Sequence, residues 1–235
     1  LEIIREHGNS NKLLARVLDD LTRKFPCRIV SLNGGTAANA IPKESSAVVL
    51  SSAEEQELRA ELDSWTEIFR HELRGADGAG LVITLADADA ADKVLTERCA
   101  ANVIDAALLI PTGIASMDMN ITSQRLVESS NNFAMIRMEK GEIVFHCQTR
   151  SSVASKKEAL CRQIDVLAAM IGATVEHSGD YPAWEYNPNS RLQPLFESTY
   201  RDLFHKDARV EGIHAGLECG LFAEKFKNLG RSMDF

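Results

Sequence analysis

Apolar residues recur at helical spacing from Ser10 to Lys24 (Leu13, Leu14, Val17, Leu18, Leu21), which predicts a helix. Asn9 or Ser10 can cap its start and Pro26 closes it. Arg28–Leu32 is short and β-branched, a strand, and Asn33-Gly34-Gly35-Thr36 is a turn built from residues that tolerate positive φ. A second strand runs through Ala47–Leu50. Ser52 with Glu55 reads as a capping box for a helix carrying Leu58, Leu62, Trp65, Phe69 and Leu73 on one face. Gly75–Gly80 breaks that helix, and Leu81–Leu85 is predicted as a strand. If Ile3-Ile4 end an earlier strand, the unit reads β-α-β-β-α-β, the split ferredoxin-like arrangement.

A second block echoes the first. Residues 92–110 predict a helix and Pro111–Gln124 a loop. Residues 125–138 read as extended, and Lys140-Gly141 as a tight turn. Glu142–Thr149 alternates, with Ile143, Phe145 and Cys147 on one face. A helix over Ser155–Ile171 stops at Gly172, and Ala173–His177 is a strand. The character changes after Tyr181-Pro182, where Pro182, Pro188 and Pro194 mark a crossing segment. Asn189 or Ser190 caps a helix with Leu192, Leu195, Phe196, Tyr200, Leu203 and Phe204. Val210–Ala215 then reads as a strand, and Gly216–Phe222 as a strand-to-helix turn suited to a parallel α/β sheet. The expected class is α+β: two side-by-side ferredoxin-like antiparallel halves, about 1–90 and 120–180, plus a partial α/β segment at 181–235.

The chain has 235 residues, with 26 Lys+Arg against 34 Asp+Glu and a net charge of −8. That acidic balance argues against a nucleic-acid partner, whose phosphates need clustered cations. No apolar run of about 18 residues is present, so no membrane-spanning helix is expected. Five cysteines without a C-x-x-C pair read as small buried hydrophobes in a reducing cytoplasm. Leu1 at the start, and an apolar segment opening at Ser232–Phe235, read as a piece of a longer chain.

Chemistry-bearing patterns are few. None of the six histidines forms H-x-x-x-H or H-E-x-x-H, and G-x-S-x-G, G-x-x-x-x-G-K-S/T and G-x-G-x-x-G are absent. His205-Lys206-Asp207 reads as a solvated turn, and Glu54-Glu55 as acids at a helix N-terminus. Three features are not accounted for by packing. Asn39-Ala40-Ile41-Pro42 puts an amide before a strand. Arg150 ends the alternating strand, where a guanidinium can grip a carboxylate bidentately. His214-Ala215-Gly216-Leu217-Glu218-Cys219-Gly220 sets His, Glu and two Gly on one turn.

These segments resemble a known family. Gly8–Arg16, Asn33–Thr36 with Asn39–Pro42, His146–Ser151, Tyr181–Trp184 and Ile213–Phe222 are similar, in this order, to the second half of the Xaa-His (aminoacyl-histidine, carnosine-cleaving) dipeptidases of the di-zinc metallopeptidase superfamily. The resemblance implies a lid domain over 1–180 and a return into the catalytic domain over 181–235. It implies substrate contacts at Asn39, Arg150, Gly216 and Glu218, with His214 in the same run and Asn132 on a strand. No catalytic residue and no metal ligand is carried over. The two zinc ions expected in the intact parent would be held by a His-x-Asp motif, a bridging Asp, acids after a Glu-Glu pair and a late His, none of which this chain matches. His205-x-Asp207 follows Glu54-Glu55, the reverse of the family's order. The fragment alone is therefore expected to hold no zinc and to be inactive. Ala183, where the family commonly has Gly, and Ala37-Ala38 before the Asn depart from the pattern. The implied partners are a dipeptide, the parent's own missing catalytic half and a second copy, and the implied source is a bacterial cytoplasm. The alternative reading is a non-catalytic dimerisation or small-ligand-binding module, because sheet edges invite pairing.

Overall fold

The computed structural model describes residues 2–119 and 125–231. Leu1, the end of the expected loop at 120–124 and the apolar segment expected at Ser232–Phe235 lie outside the described residues. The class is α+β, with strands β1 (Cys27–Gly34), β2 (Ser45–Ser51), β3 (Gly113–Met117), β4 (Val127–Glu139) and β5 (Glu142–Ser151) in the order β2-β1-β4-β3, β5 pairing β4, and β1 antiparallel to both β2 and β4. Contacts divide the chain into two units. The first comprises Leu1–Gly113, Asn131–Gln148 and Arg162–Val175, and the second Ile114–Ser130, Thr149–Cys161 and Glu176–Phe235.

In the first unit, helix α1 (Ser10–Lys24) starts where the Asn9 side chain accepts the Lys12 N–H at 3.2 Å. Strands β1 (Cys27–Gly34) and β2 (Ser45–Ser51) pair antiparallel, with an irregularity between Ile29 and Ser31. Helix α2 (Glu55–Glu72) buries Leu58, Leu62 and Phe69 against Val17 and Leu21 of α1. The Arg16 guanidinium clamps this pair. It donates to both Glu72 oxygens at 2.6 and 2.8 Å and lies 5.3 Å from the Trp65 ring centre and 4.7 Å from that of Phe69. Helix α3 (Glu97–Leu109) packs Val103 and Ile104 into a core with Ile29, Leu32, Phe133 and Ile136. Each such side chain, fully buried, contributes roughly 1.5–3 kcal/mol.

Strand β4 (Val127–Glu139) turns into β5 (Glu142–Ser151) through Lys140 and Gly141, whose φ of 52° and 83° are the left-handed pair that a two-residue hairpin requires. Ile143, Phe145 and Cys147 of β5 face the core, as the alternation predicts. Burial and the departure of the charged form from water set two groups here. Burial lowers the Lys12 amine to about 8, while its Nζ donates to the Ala107 and Leu108 carbonyls at the end of α3. Burial raises the Cys147 thiol to about 11, so it stays protonated and inert.

In the second unit, β3 (Gly113–Met117) leads toward the start of β4. Helix α4 (Ala154–Ile171) follows β5 and ends at Gly172, at φ 74°. Its first part, with Leu160, belongs to this unit. Helices α5 (Leu192–Phe204) and α6 (Glu218–Asn228) complete it. The N-cap of α5 is Arg191 rather than Asn189 or Ser190; Ser190 Oγ, one residue earlier, accepts the Gln193 N–H at 3.2 Å.

Several sequence expectations are corrected. Ile3-Ile4 lie in a 3-10 turn, Glu2–Arg5, because Glu6 follows in the left-handed region and ends any extended run. Leu81–Leu85 forms no strand. Leu81, Ile83 and Leu85 bury against the α1–α2 cluster, so their alternation records burial without backbone pairing. Ala173–His177 and Val210–Ala215 form no strands either. Ala173–His177 is exposed, and so are Val210, Glu211 and Ile213, so little burial repays pairing. Helix α3 begins at Glu97 rather than 92, since Thr96 caps it and Leu95 gives its N–H to the Ile29 carbonyl at 2.7 Å. The predicted loop after Pro111 contains β3, because tertiary pairing overrides weak local preference. The Ser52–Glu55 capping box is absent: Glu54 is the N-cap without a side-chain bond, and Ser51 Oγ accepts the Ala53 N–H.

Candidate functional site

Strand β4 opens with a polar run in a place where apolar residues would be expected. Glu128, Ser129, Ser130 and Asn131 are all buried. Buried polar groups cost about 1–3 kcal/mol each when unpaired, so their partners define what the strand organises. Glu128 takes an ion pair from Lys156 and a hydrogen bond from Ser116 Oγ at 2.6 Å. Burial alone would raise its carboxyl, but Lys156 and the hydroxyls outweigh that and hold it below the usual range. Ser129 Oγ and Ser151 Oγ lie 2.8 Å apart. Asn131 donates to the Pro111 carbonyl at 2.6 Å.

Ser130 makes the contact of most interest. Its Oγ is 2.7 Å from His214 Nε2, and both residues are buried. Arg150, at the end of β5, donates from Nη1 to the His214 carbonyl at 3.1 Å. The ring and the backbone of His214 are thus held by two neighbouring strands of the second unit. Burial first, then the Arg150 cation, lowers the His214 pKa; a hydrogen bond with the Val127 backbone pulls the other way. The ring is therefore neutral at pH 7.

The glycine turn after His214 is fixed from the other side. Lys157 Nζ donates to Asp180 Oδ1 at 2.6 Å and to the Tyr181 carbonyl at 2.7 Å. The Tyr181 ring then presses on Gly216, where a Cβ would come within 2.4 Å of it. No side chain other than hydrogen fits there without moving Tyr181. Gly216 and Glu218 are both exposed, and Glu218 begins α6, where its carboxylate suits the helix dipole.

The first unit carries the other predicted contacts. Asn39 is exposed and sits in the turn Ala37–Ala40, closed by the Ala40 N–H to the Ala37 carbonyl at 3.3 Å. Asn132 Nδ2 donates to the Ala38 carbonyl at 3.3 Å and to the Ala40 carbonyl at 2.7 Å. The two glycines before the turn are required by close approach. A Cβ on Gly34 would lie 1.9 Å from Asn11 Oδ1, and one on Gly35 (φ 69°) 1.9 Å from the Ala134 carbonyl. Asn39 and Asn132 are thus brought together in one unit, and Arg150, His214, Gly216 and Glu218 in the other. Among the described residues, no three His, Cys, Asp or Glu side chains gather to hold a metal ion. His205 caps α5 in the left-handed region, and Asp207 pairs with Arg201 at 2.7 Å.

Residues 4–77 match the peptidase dimerisation domain family. The chain is 33% identical over 224 residues to the cytosol non-specific dipeptidase of Escherichia coli (strain K12), covering 94% of this chain and 45% of that protein. It superposes on the crystal structure of aminoacylhistidine dipeptidase from Vibrio alginolyticus with a TM-score of 0.87 and 29% identity, covering 99% of this chain and 47% of that one. By sequence and by fold, the chain is similar to about half of each of these dipeptidases. It spans just under half the length of the relatives it matches. None of its described helices is long and apolar enough to cross a membrane.

Ser130 as the partner of His214 does not follow from local spacing. The signal was present: four polar residues, Ser129-Ser130-Asn131-Asn132, precede the apolar run Phe133–Ile136 in one extended segment, and a buried strand must pair them. The His214 environment has a pH consequence. Because its folded pKa lies below the ordinary value of about 6.5, the unfolded chain binds the proton first as pH falls. The stability contributed by the neutral ring is complete above about pH 6.5 and is lost as pH falls through the folded pKa. Urea unfolding at pH 7.5 and 5.5 should show a larger loss for the wild type than for His214→Asn. Equal losses would contradict this placement of the ring.

Proposed function

We propose that this chain is the lid, residues 1–180, and the returning catalytic segment, 181–235, of a zinc-dependent cytosolic dipeptidase that cleaves X-His type dipeptides. The supporting observation is the placement of Arg150 against the His214 carbonyl, at the head of the Gly216–Glu218 turn. A guanidinium there can take the substrate's C-terminal carboxylate in two parallel hydrogen bonds. That charge marks the end of a dipeptide, so a longer peptide presents it out of register. On the first unit, Asn39 offers an amide that suits a peptide backbone; on the second, Gly216 and Glu218 present an exposed turn that His214 holds. Lid closure would exclude water from the reaction. The described residues do not fit a zinc site, so the metal ligands are assigned to other parts of the parent, and no chemical step is placed on this chain. Residues 1–235 alone should be inactive.

The test is kinetic and uses the complete polypeptide that carries this chain. Arg150→Met should lower kcat/KM for a free X-His dipeptide by about 10- to 100-fold, the worth of one charge-assisted hydrogen-bonding pair. The corresponding dipeptide amide, which lacks the carboxylate, should be cleaved equally by both enzymes. An equal loss on acid and amide would remove Arg150 from carboxylate binding.

The match of residues 4–77 to a dimerisation domain supports a second role, pairing with another copy. Strand β2 ends the strand order and offers an edge for that pairing. Light scattering of the complete polypeptide should give twice the chain mass, independent of concentration in the micromolar range. A monomer throughout that range would refute the pairing.

A further inference from the structure

The turn that presents Asn39 does not hold itself. It is closed by a single backbone bond at 3.3 Å, and its central residues, Ala38 and Asn39, are both exposed. Alanine side chains at 37, 38 and 40 give it little to bury. Support comes from β4. The Asn132 amide donates both to Ala38 and to Ala40, the carbonyls flanking Asn39 on either side. Its two N–H groups are thereby matched to two acceptors. Five residues further along β4, Arg137 holds the stem, donating to the Gly34 carbonyl at 2.8 Å and to that of Gly35 at 2.6 Å. At the return, the Pro42 carbonyl accepts the Ser10 N–H at 3.0 Å. The stem and the return are fixed by backbone and guanidinium, and the tip by Asn132.

We infer that Asn132 is a positioning residue: it acts on the substrate through Asn39, by locking the turn that aims the Asn39 amide. The donors of Asn132 are occupied by protein carbonyls, whereas Asn39 makes no hydrogen bond among the described residues and its amide is exposed. The division of labour follows from that difference. A short amide on a rigid strand is well suited to the task, because holding a reacting partner to within a fraction of an ångström requires second-tier groups that are themselves locked. An Asp at 132 would fail despite its shape, since a carboxylate offers the two carbonyls no proton.

The inference rests on the dipeptidase reading, and a double-mutant cycle in the complete polypeptide separates the two. Asn39→Ala is expected to lower kcat/KM for an X-His dipeptide about tenfold, the worth of one hydrogen bond. Asn132→Ala and Asn132→Asp should each approach the same loss in the wild-type background and cause none in the Asn39→Ala background. Hydrogen exchange should show faster exchange of the amides in residues 36–41 in both Asn132 variants, with β4 still protected. Multiplicative losses in the double variant, or unchanged exchange in the turn, would overturn the positioning role. A wild-type polypeptide that neither binds nor cleaves dipeptides would instead overturn the dipeptidase reading, and with it the role of Asn39.

Discussion

The structure depends on one constraint: the polar side chains buried in the first half of β4 must find partners. Glu128, Ser129, Ser130 and Asn131 lose their hydration on folding, and each recovers it from a different segment. Glu128 draws in Lys156 and Ser116, Ser129 meets Ser151, Ser130 meets His214, and Asn131 meets the Pro111 carbonyl. Asn132 continues the series by holding the Asn39 turn. Beyond it the strand becomes apolar, with Phe133, Ala134 and Ile136 in the core. One half of β4 therefore anchors the fold by packing, and the other half anchors loops by hydrogen bonding. Loops held in this way present groups that face solvent, which is where ligand contacts are usually carried.

This arrangement explains why the candidate residues occur in pairs of unlike character. Asn39 is exposed and unsupported by its own turn, while Asn132 is committed to protein carbonyls. Gly216 and Glu218 are exposed, while His214 is buried and bonded at ring and backbone. In each case a presenting residue is backed by a fixed one. The neutral imidazole serves the second pair well, because one of its nitrogens accepts while the other donates, so both sides of the ring are matched.

Much of this was legible in the chain. Helix α1 with its Asn9 cap, the α2 face from Leu58 to Phe69, the Lys140-Gly141 hairpin and the alternating face of β5 all follow from spacing and turn chemistry. The segments read as strands at 81–85, 173–177 and 210–215 did not form ladders: at 81–85 the apolar alternation reports burial and not a backbone partner, and the other two are largely exposed, so little burial repays pairing. Strand β3 was hidden by Pro111 and Gly113, which mark a turn locally while the sheet recruits the residues from Gly113 onward. At the site, Arg150 and the His214–Gly220 run stood out by residue type, but the Ser130–His214 pairing joins residues 84 apart, a distance that local patterns do not bridge.

The most direct test is residue-resolved hydrogen–deuterium exchange along β4 in the complete polypeptide. If the buried polar half is a built structural element, the amides of Ser129–Asn132 exchange as slowly as those of Phe133–Ile136, because both halves open only with the whole sheet. Rapid exchange confined to Ser129–Asn132, with Phe133–Ile136 still protected, would show that the polar run is not satisfied as described and would contradict the account.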